Sequence, residues 1–139
     1  SYAITASFAL NAGGGSGAGF PFEGKAEISG SLEVSGSVII DGSLTELSSL
    51  RYKSNVNTLE NALDNVSNLR GVTFKKDSKT EIGLIAEEVV KYYPEIVTLD
   101  QSGQPDGVEY SRVGSILIEA IKELNNRVKE LEEKVKSLS

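Results

Sequence analysis

A heptad repeat near the end of the chain restricts its fold more than any other feature of the sequence. Apolar residues from Leu117 onward are spaced alternately by four and three positions. They are Leu117, Ile121, Leu124, Val128, Leu131, Val135 and Leu138. β-Branched residues at the a positions and leucine at the d positions are typical of the seam between helices of a coiled coil. We therefore predict a coiled-coil helix over residues 111–139, with Leu117, Ile121, Leu124, Val128, Leu131 and Val135 at an interface between identical chains.

A single amphipathic helix that packs on its own domain is the alternative interpretation of this stripe. Ile116 and Ile118 widen the apolar face at its start, so we expect the first turns to contact the rest of the chain. From Glu123 onward only two positions per heptad are apolar, which is the narrower pattern of a seam. Arg127, at a g position, is expected to reach Glu132 at an e position of a parallel neighbour. The residues at a and d by themselves favour dimers.

A second repeat lies upstream and has a period of six residues, marked by Gly24, Gly30, Gly36 and Gly42. Apolar residues follow each glycine by two or by four positions, and they are Ala26, Ile28, Leu32, Val34, Val38, Ile40 and Leu44. Short β segments with Gly-Ser turns at a fixed period indicate stacked β rungs. So few rungs cannot bury their apolar edge within one chain. We therefore predict an intertwined β stalk over residues 24–47, which favours three chains; a two-hairpin meander is the alternative.

The start of the chain and the region between the two repeats complete the predicted architecture. Residues 1–23 contain the tract Gly13–Gly19 and are expected to form a Gly-rich stalk or linker. Helical spacing predicts helices over 57–69 and 82–93, and short β-rich runs predict strands over 72–75, 96–99 and 107–110, the last two as a hairpin. The fold class is therefore α+β: a Gly-rich β stalk, a small α/β globular part and a coiled-coil helix, assembled as a homotrimer.

The composition excludes several classes of function. The formal net charge of the 139 residues is −6 and no run is basic, so we expect no nucleic-acid partner. The sequence has no Cys and no His, which removes thiolate metal sites and histidine-assisted nucleophiles, and we expect neither metal nor cofactor. It also has no run of about 18 apolar residues, so we expect no membrane span.

One short cluster, at the junction of the β repeat and the globular part, has the residue types for catalysis. It reads Ser48-Ser49-Leu50-Arg51-Tyr52-Lys53. A serine beside a lysine forms a nucleophile–base pair when burial favours the neutral amine. On spacing alone, a polar linker with a solvated lysine is the more frequent situation.

Several motifs occur in an order that resembles a known family. They are Ser48-x-x-Arg51-x-Lys53-x-x-Val56, the helical pattern 59–69 followed by Gly71-Val72-Thr73-Phe74, Ile82–Val89, Tyr93–Val97, Val108–Ser111 and Leu117–Leu124. Together they resemble the C-terminal intramolecular chaperone domain of endosialidases and other phage tail fibres and tailspikes, the S74 peptidases. The resemblance extends from Ser48 to the end of the chain. The Ser-Tyr-Ala-x-x-Ala-Ser pattern at Ser1–Ser7 is similar to phage fibre stalks.

The resemblance implies a homotrimer that folds the fibre end of its own polypeptide and then cuts itself off. The family motif Ser-Asp-x-Arg-x-Lys makes Ser48 the nucleophile, Lys53 the base and Leu47–Ser48 the scissile bond. Cleavage would release 139 − 47 = 92 residues in a single turnover. Arg51 would either favour the neutral form of Lys53 or hold the oxyanion. This sequence departs from the motif at Ser49, where the family has Asp, so Ser49 is a second candidate hydroxyl, although the register of the family motif favours Ser48. Glu87 stands where many members have Gln.

Three functions follow in order of preference. The first is a self-cleaving intramolecular chaperone, a serine auto-endopeptidase, of a tail fibre or tailspike. The second is a permanent trimerisation cap with the same fold and no cleavage, and the third is a receptor-binding fibre tip. We expect the protein to belong to a tail fibre or tailspike of the virion and to be in the host cytoplasm during assembly.

Overall fold

A computed structural model of the chain describes residues 24–139. The predicted Gly-rich stalk or linker at residues 1–23 lies outside the described residues. The chain divides into two units, residues 1–48 and 49–139, and each is described by itself.

The described part of the first unit, residues 24–48, has no helix and no strand. Its backbone bends at Gly24, at Ser29-Gly30, at Ser35-Gly36 and at Asp41-Gly42, so the six-residue period of the sequence is visible in the chain path. Gly24 and Gly42 have φ values of 137° and 147°, which side-chain-bearing residues rarely adopt. The large apolar side chains of the repeat are all exposed. Pairing of this segment into intertwined β rungs stays a prediction about several chains.

The second unit contains short helices and two small sheets that precede one long helix, which confirms the α+β class. The helices are α1 (Ala62–Ser67), α2 (Ala86–Val89) and α3 (Val113–Ser137). The strands are β1 (Val72–Lys76), β2 (Lys79–Gly83), β3 (Val97–Leu99) and β4 (Pro105–Val108). Single 3-10 turns lie at Leu50–Tyr52, Pro94–Ile96 and Tyr110–Arg112.

β1 and β2 form an antiparallel hairpin in which Val72 lies opposite Gly83 and Lys76 opposite Lys79. The two connecting residues, Asp77 and Ser78, have φ values of 48° and 65°. Positive φ at both central positions is the geometry of the two-residue hairpin turn that matches strand twist. The sequence prediction of a helix over 82–93 was wrong at both ends, because Ile82 lies in β2 and the helix extends only from Ala86 to Val89.

α1 is also shorter than predicted, since it begins at Ala62 and not at residue 57. Asn61 has φ 56° and ψ 26°, a left-handed conformation that a right-handed helix cannot continue through. The Glu123 carboxylate of α3 accepts hydrogen bonds from the backbone N–H groups of Ala62 (3.2 Å) and Leu63 (2.8 Å). These bonds satisfy two of the donors that a helix leaves open at its N-terminus, and they fix α1 against α3.

The predicted second hairpin is confirmed, with β3 and β4 antiparallel and Val97 opposite Val108. Asp100 holds the turn: its Oδ1 accepts from the Gln104 N–H (2.9 Å), the Ser102 hydroxyl (2.9 Å) and the Ser102 N–H (2.8 Å). The hydrogen bond from the Gln104 backbone, followed by that from the Ser102 side chain, lowers the pKa of Asp100 below its ordinary value.

A small core joins α3 to the elements before it. Its buried members are Val89, Tyr93, Ile96 and Ile116, and half-buried side chains such as Val66, Leu69 and Val113 pack around them. The expectation that the first turns of α3 contact the globular part is confirmed for Ile116, which is 4% exposed, but Ile118 is 56% exposed. Ile116 and Ile118 are two positions apart on a helix and therefore lie on different sides of it.

Tyr110 ties the end of β2 to the region just before α3. Its hydroxyl oxygen accepts from the Leu84 N–H (2.8 Å), and the same hydroxyl donates to the Leu84 carbonyl (3.4 Å). A Cβ on Gly83 would lie 2.5 Å from the Tyr110 hydroxyl oxygen. Glycine at position 83 is therefore what permits this close approach.

Candidate functional site

The predicted scissile bond lies at the end of the first unit. Leu47 and Ser48 are both exposed, Leu47 at 79%. The boundary between the two units falls directly after Ser48, so Arg51 and Lys53 belong to the second unit. The bond is therefore placed in a segment without regular structure, which is the type of backbone that a cleavage reaction can reach.

The residues that follow Ser48 form one 3-10 turn, Leu50–Tyr52, capped at both ends. At its start, the Ser49 hydroxyl accepts a long hydrogen bond of 3.4 Å from the Arg51 N–H, and the Ser49 carbonyl accepts from the Tyr52 N–H at 3.0 Å. At its end, the Lys53 N–H donates to the Leu50 carbonyl at 2.9 Å. Serine and aspartate are both favourable at such a capping position. Ser49 thus caps this turn with its side chain.

The Arg51 side chain is folded onto its neighbour. Its Nη2 donates to the Tyr52 hydroxyl oxygen at 2.7 Å, and its Cζ lies 4.7 Å from the centre of the Tyr52 ring. This combination of hydrogen bond and cation–π contact holds the guanidinium beside the turn. Arg51, Tyr52 and Lys53 are all exposed in the single chain. The turn that contains Arg51 is closed by the backbone N–H of Lys53. Both predicted roles of Arg51 stay predictions.

α3 has two neighbouring faces, and only one of them is covered by the second unit. Ile116 and Ala120 are buried on the covered face, Glu123 caps α1, and Arg127 Nη2 lies 3.2 Å from Asp64 Oδ1. These four residues recur at three or four positions, as one helix face requires. The pair between Arg127 and Glu132 of a neighbouring chain stays a prediction; within the chain, Arg127 pairs with Asp64 at the surface.

The other face of α3 is the predicted seam. Its seven apolar side chains are exposed, from 42% for Leu117 to 87% for Leu138. The alternative of a helix that packs only on its own domain explains the covered face and leaves the seam without an explanation. A continuous exposed apolar stripe of this length marks an interaction surface.

An apolar cavity of about 170 Å³ lies between α1, α2 and the start of α3. Val66, Leu69, Val113, Ile116 and Leu117 are among its lining residues. Arg70 also lines it, and its guanidinium lies 2.9 Å from Glu88 Oε1; this hydrogen bond, together with the charge of Glu88, raises the pKa of Arg70. Sequence reasoning missed the cavity because its walls come from short elements that are far apart in the chain.

Residues 24–139 contain no group of three or more potential ligand side chains arranged around a common metal position. In the same part of the chain, no helix has the length and apolar character that crossing a membrane requires.

Comparison with known proteins places this arrangement among related sequences. Residues 48–98 match the family model of peptidase S74, described as the chaperone of endosialidase. The long tail fiber protein Gp37 of Enterobacteria phage K3 is 39% identical over 98 residues, and so is the protein of the same name from Enterobacteria phage T2. The match covers 63% of this chain, whereas the chain spans only 8% and 7% of the lengths of these two relatives.

Proposed function

Because the chain belongs to the chaperone-of-endosialidase family, we propose that it is the C-terminal intramolecular chaperone of a phage tail fibre, which assembles three copies of its own polypeptide. The phage fibre names of the two relatives support the setting. The observation that carries the proposal is the seam on α3, whose side chains from Leu117 to Val135 are exposed beside a face that is already covered.

The two repeats of the chain support assembly from opposite ends. Each exposed seam side chain loses its contact with water when helices associate, and full burial of such a side chain stabilises by about 1.5–3 kcal/mol. The six-residue repeat at 24–47 exposes its apolar side chains as well, and a β stalk of this kind needs several chains. Association through α3 raises the local concentration of the stalk segments and sets their register.

Self-cleavage before Ser48 is the second part of the proposal. The Ser48 hydroxyl attacks the Leu47 carbonyl carbon and gives its proton to neutral Lys53. The C–N bond breaks, the Ser48 nitrogen takes a proton, and an ester joins Leu47 to the Ser48 oxygen. Water then hydrolyses the ester and leaves a carboxylate on Leu47. The family match supports this position, because it begins at residue 48.

Cleavage is coupled to assembly in this proposal. A lysine accepts a proton only in its neutral form, which burial favours. Lys53 is exposed in the single chain, so the neighbouring chains must supply that burial. The cut therefore follows trimer formation. Removal of the chaperone afterwards leaves the fibre kinetically trapped, because the route back to separate chains is lost.

A permanent trimerisation cap is the second candidate, and the serine at position 49 is the observation that favours it. If the Asp of the family motif contributes more than a turn cap, the Ser49 chain assembles without cutting itself. Assembly and cleavage are separate properties, so one preparation of residues 1–139 distinguishes the two candidates.

The test combines a denaturing gel with light scattering on residues 1–139 and three variants. We expect a trimer in solution and a fragment of 92 residues that begins at Ser48 (139 − 47). Ser48→Ala and Lys53→Ala should give intact chains, and Ser49→Ala, the matched control, should still be cut. Intact wild-type trimers would support the permanent cap, and wild-type monomers would contradict the chaperone proposal itself.

A further inference from the structure

Ile118 is an apolar residue at a position of the helix where coiled coils usually carry polar ones. With Ile121 at position a, Ile118 occupies position e, and the next two e positions are Asn125 and Glu132. Ile118 is 56% exposed, and the domain of its own chain packs on the opposite side of the seam, where Ile116 and Ala120 are buried. The exposed Ile118 therefore lies where a residue of another chain can cover it.

In a parallel coiled coil, the e position of one helix faces the g position five residues earlier on its neighbour. This register pairs Ile118 with Val113, Asn125 with Ala120, and Glu132 with Arg127. The last pair has opposite charges and the first is apolar on both sides. Two of the three pairs are thus complementary, one by charge and one by apolar contact, which supports a second copy of this chain as the partner.

Val113 connects this register to the apolar cavity. It is half-buried and lines the cavity together with Leu117, the first seam residue. Leu117 is 42% exposed, so one residue of the cavity lining also reaches the surface at the seam. Its volume of about 170 Å³ is similar to that of apolar cavities of about 150 Å³ that accept a benzene ring. The cavity therefore has the size and the apolar character to accept one aliphatic side chain.

We propose that Ile118 of each chain inserts into the cavity of the adjacent chain, between Val113 and Leu117. This inference rests on the proposed function, because it requires parallel helices around a common axis. Each chain gives one side chain and receives one, so three identical contacts close a ring. The contact adds an apolar side chain to the core of the neighbouring second unit, so assembly stabilises a domain that the single chain already forms.

A disulfide test uses the absence of cysteine from the sequence, so that the only thiols are introduced ones. The double variant Val113→Cys/Ile118→Cys should give covalent trimers on a non-reducing denaturing gel, reversed by reductant. Within one helix, the two positions are rotated by about 140° from each other, so a bond inside one chain is sterically prevented. The matched control is Val113→Cys/Asn126→Cys, with the second thiol on the outer side of the helix, and it should give no linked chains.

The outcomes separate this inference from the function on which it rests. Trimers in light scattering without covalent linkage would overturn the Ile118 contact and leave the chaperone proposal in place. Monomers in light scattering would overturn the chaperone proposal. Covalent dimers without trimers would support the contact between positions 113 and 118 and overturn the threefold assembly.

A second pair of variants tests the contact without new covalent bonds. Ile118→Ser should raise the protein concentration at which the trimer dissociates by at least tenfold, while the same change at Ile82, which is 83% exposed on β2, should leave it unchanged. Equal behaviour of the two variants would overturn the insertion of Ile118.

Discussion

The two units of the chain use apolar residues in opposite ways. In residues 24–48, the large aliphatic side chains of the six-residue repeat are exposed, and no helix or strand forms. In residues 49–139, short elements bury Val89, Tyr93, Ile96 and Ile116 against the start of α3. The second unit therefore has a core of its own within the single chain, whereas the apolar side chains of the first unit remain available for the proposed contacts between chains.

α3 repeats this difference within one helix. Its covered face belongs to the domain, and its seam resembles the first unit in exposing apolar residues at a fixed period. α3 therefore combines a face that the second unit covers with a face that contacts other chains in the proposed assembly. A mutation on the seam should therefore abolish assembly and spare the domain.

The largest effect is expected from Leu131→Asp/Val135→Asp, which places two carboxylates in the seam beyond the residues that contact the domain. Burial of each original side chain is worth about 1.5–3 kcal/mol per chain, and buried unpaired charges add a further cost. We expect monomers by light scattering, with the circular dichroism signal of the globular part retained. The control, Lys129→Asp/Lys136→Asp, adds the same residues outside the seam and should leave trimers. Surviving trimers in the seam variant would show that the coiled coil is not the organiser.

The next largest effect is expected from the same change, isoleucine to alanine, made separately in each of the two units. In the monomeric background, Ile116→Ala should lower the free energy of unfolding of the second unit by about 2–5 kcal/mol, because it leaves a cavity in the core. Ile40→Ala should have no effect there, since Ile40 is 49% exposed. In assembled trimers, Ile40→Ala should lower the melting temperature of the stalk. A trimer insensitive to Ile40→Ala would contradict the intertwined β prediction.

A glycine pair then tests how the second unit is held together. Gly83→Ala should destabilise by about 1–3 kcal/mol, since the new Cβ forces the Tyr110 hydroxyl away from Leu84. Gly114→Ala, in α3 with open space around it, should stabilise by up to about 1 kcal/mol through helix propensity. Urea unfolding of both variants measures the difference, and equal signs would show that the Tyr110 contact does not matter.

Elements marked by periodicity or by turn residues were predictable from the sequence, and element bounds that depend on distant contacts were not. The α3 helix was predicted from its heptad spacing, and the hairpin at Asp100 was predicted from the residues of its turn. Both signals come from residues that are close in the sequence. The helix expected from residue 57 instead begins at Ala62, because Asn61 is left-handed and the cap comes from Glu123, sixty-one positions away from Ala62. β2 was missed since Asp77-Ser78 is an uncommon pair for such a turn, and apolar Ile82 also suits a helical pattern.

Some features of the candidate site were likewise predictable from the sequence, and others depend on the fold. The order of its residues and its position between two repeats were available from the sequence, and so was the heptad seam. The capping role of Ser49 and the packing of Arg51 on Tyr52 depend on the dihedral angles of one turn, which no spacing rule supplies. The cavity beside Leu117 depends on three elements meeting in space. Site chemistry that uses contacts between distant segments is therefore found only from the fold.

The smallest effect is a pH dependence that should be confined to the second unit. The folded-state pKa of Asp100 is lowered, so its contribution to stability is present above the unfolded value of about 3.9 and is lost as the pH falls through the folded value. In the monomeric background, Asp100→Asn should melt at a lower temperature than wild type at pH 6, and the gap should shrink below about pH 4 as the wild-type carboxylate takes up its proton. Asp106→Asn, an exposed carboxylate on β4, controls for the loss of charge. A gap that stays constant between pH 6 and pH 3 would mean that the hydrogen bonds from Gln104 and Ser102 do not depend on the charge of Asp100.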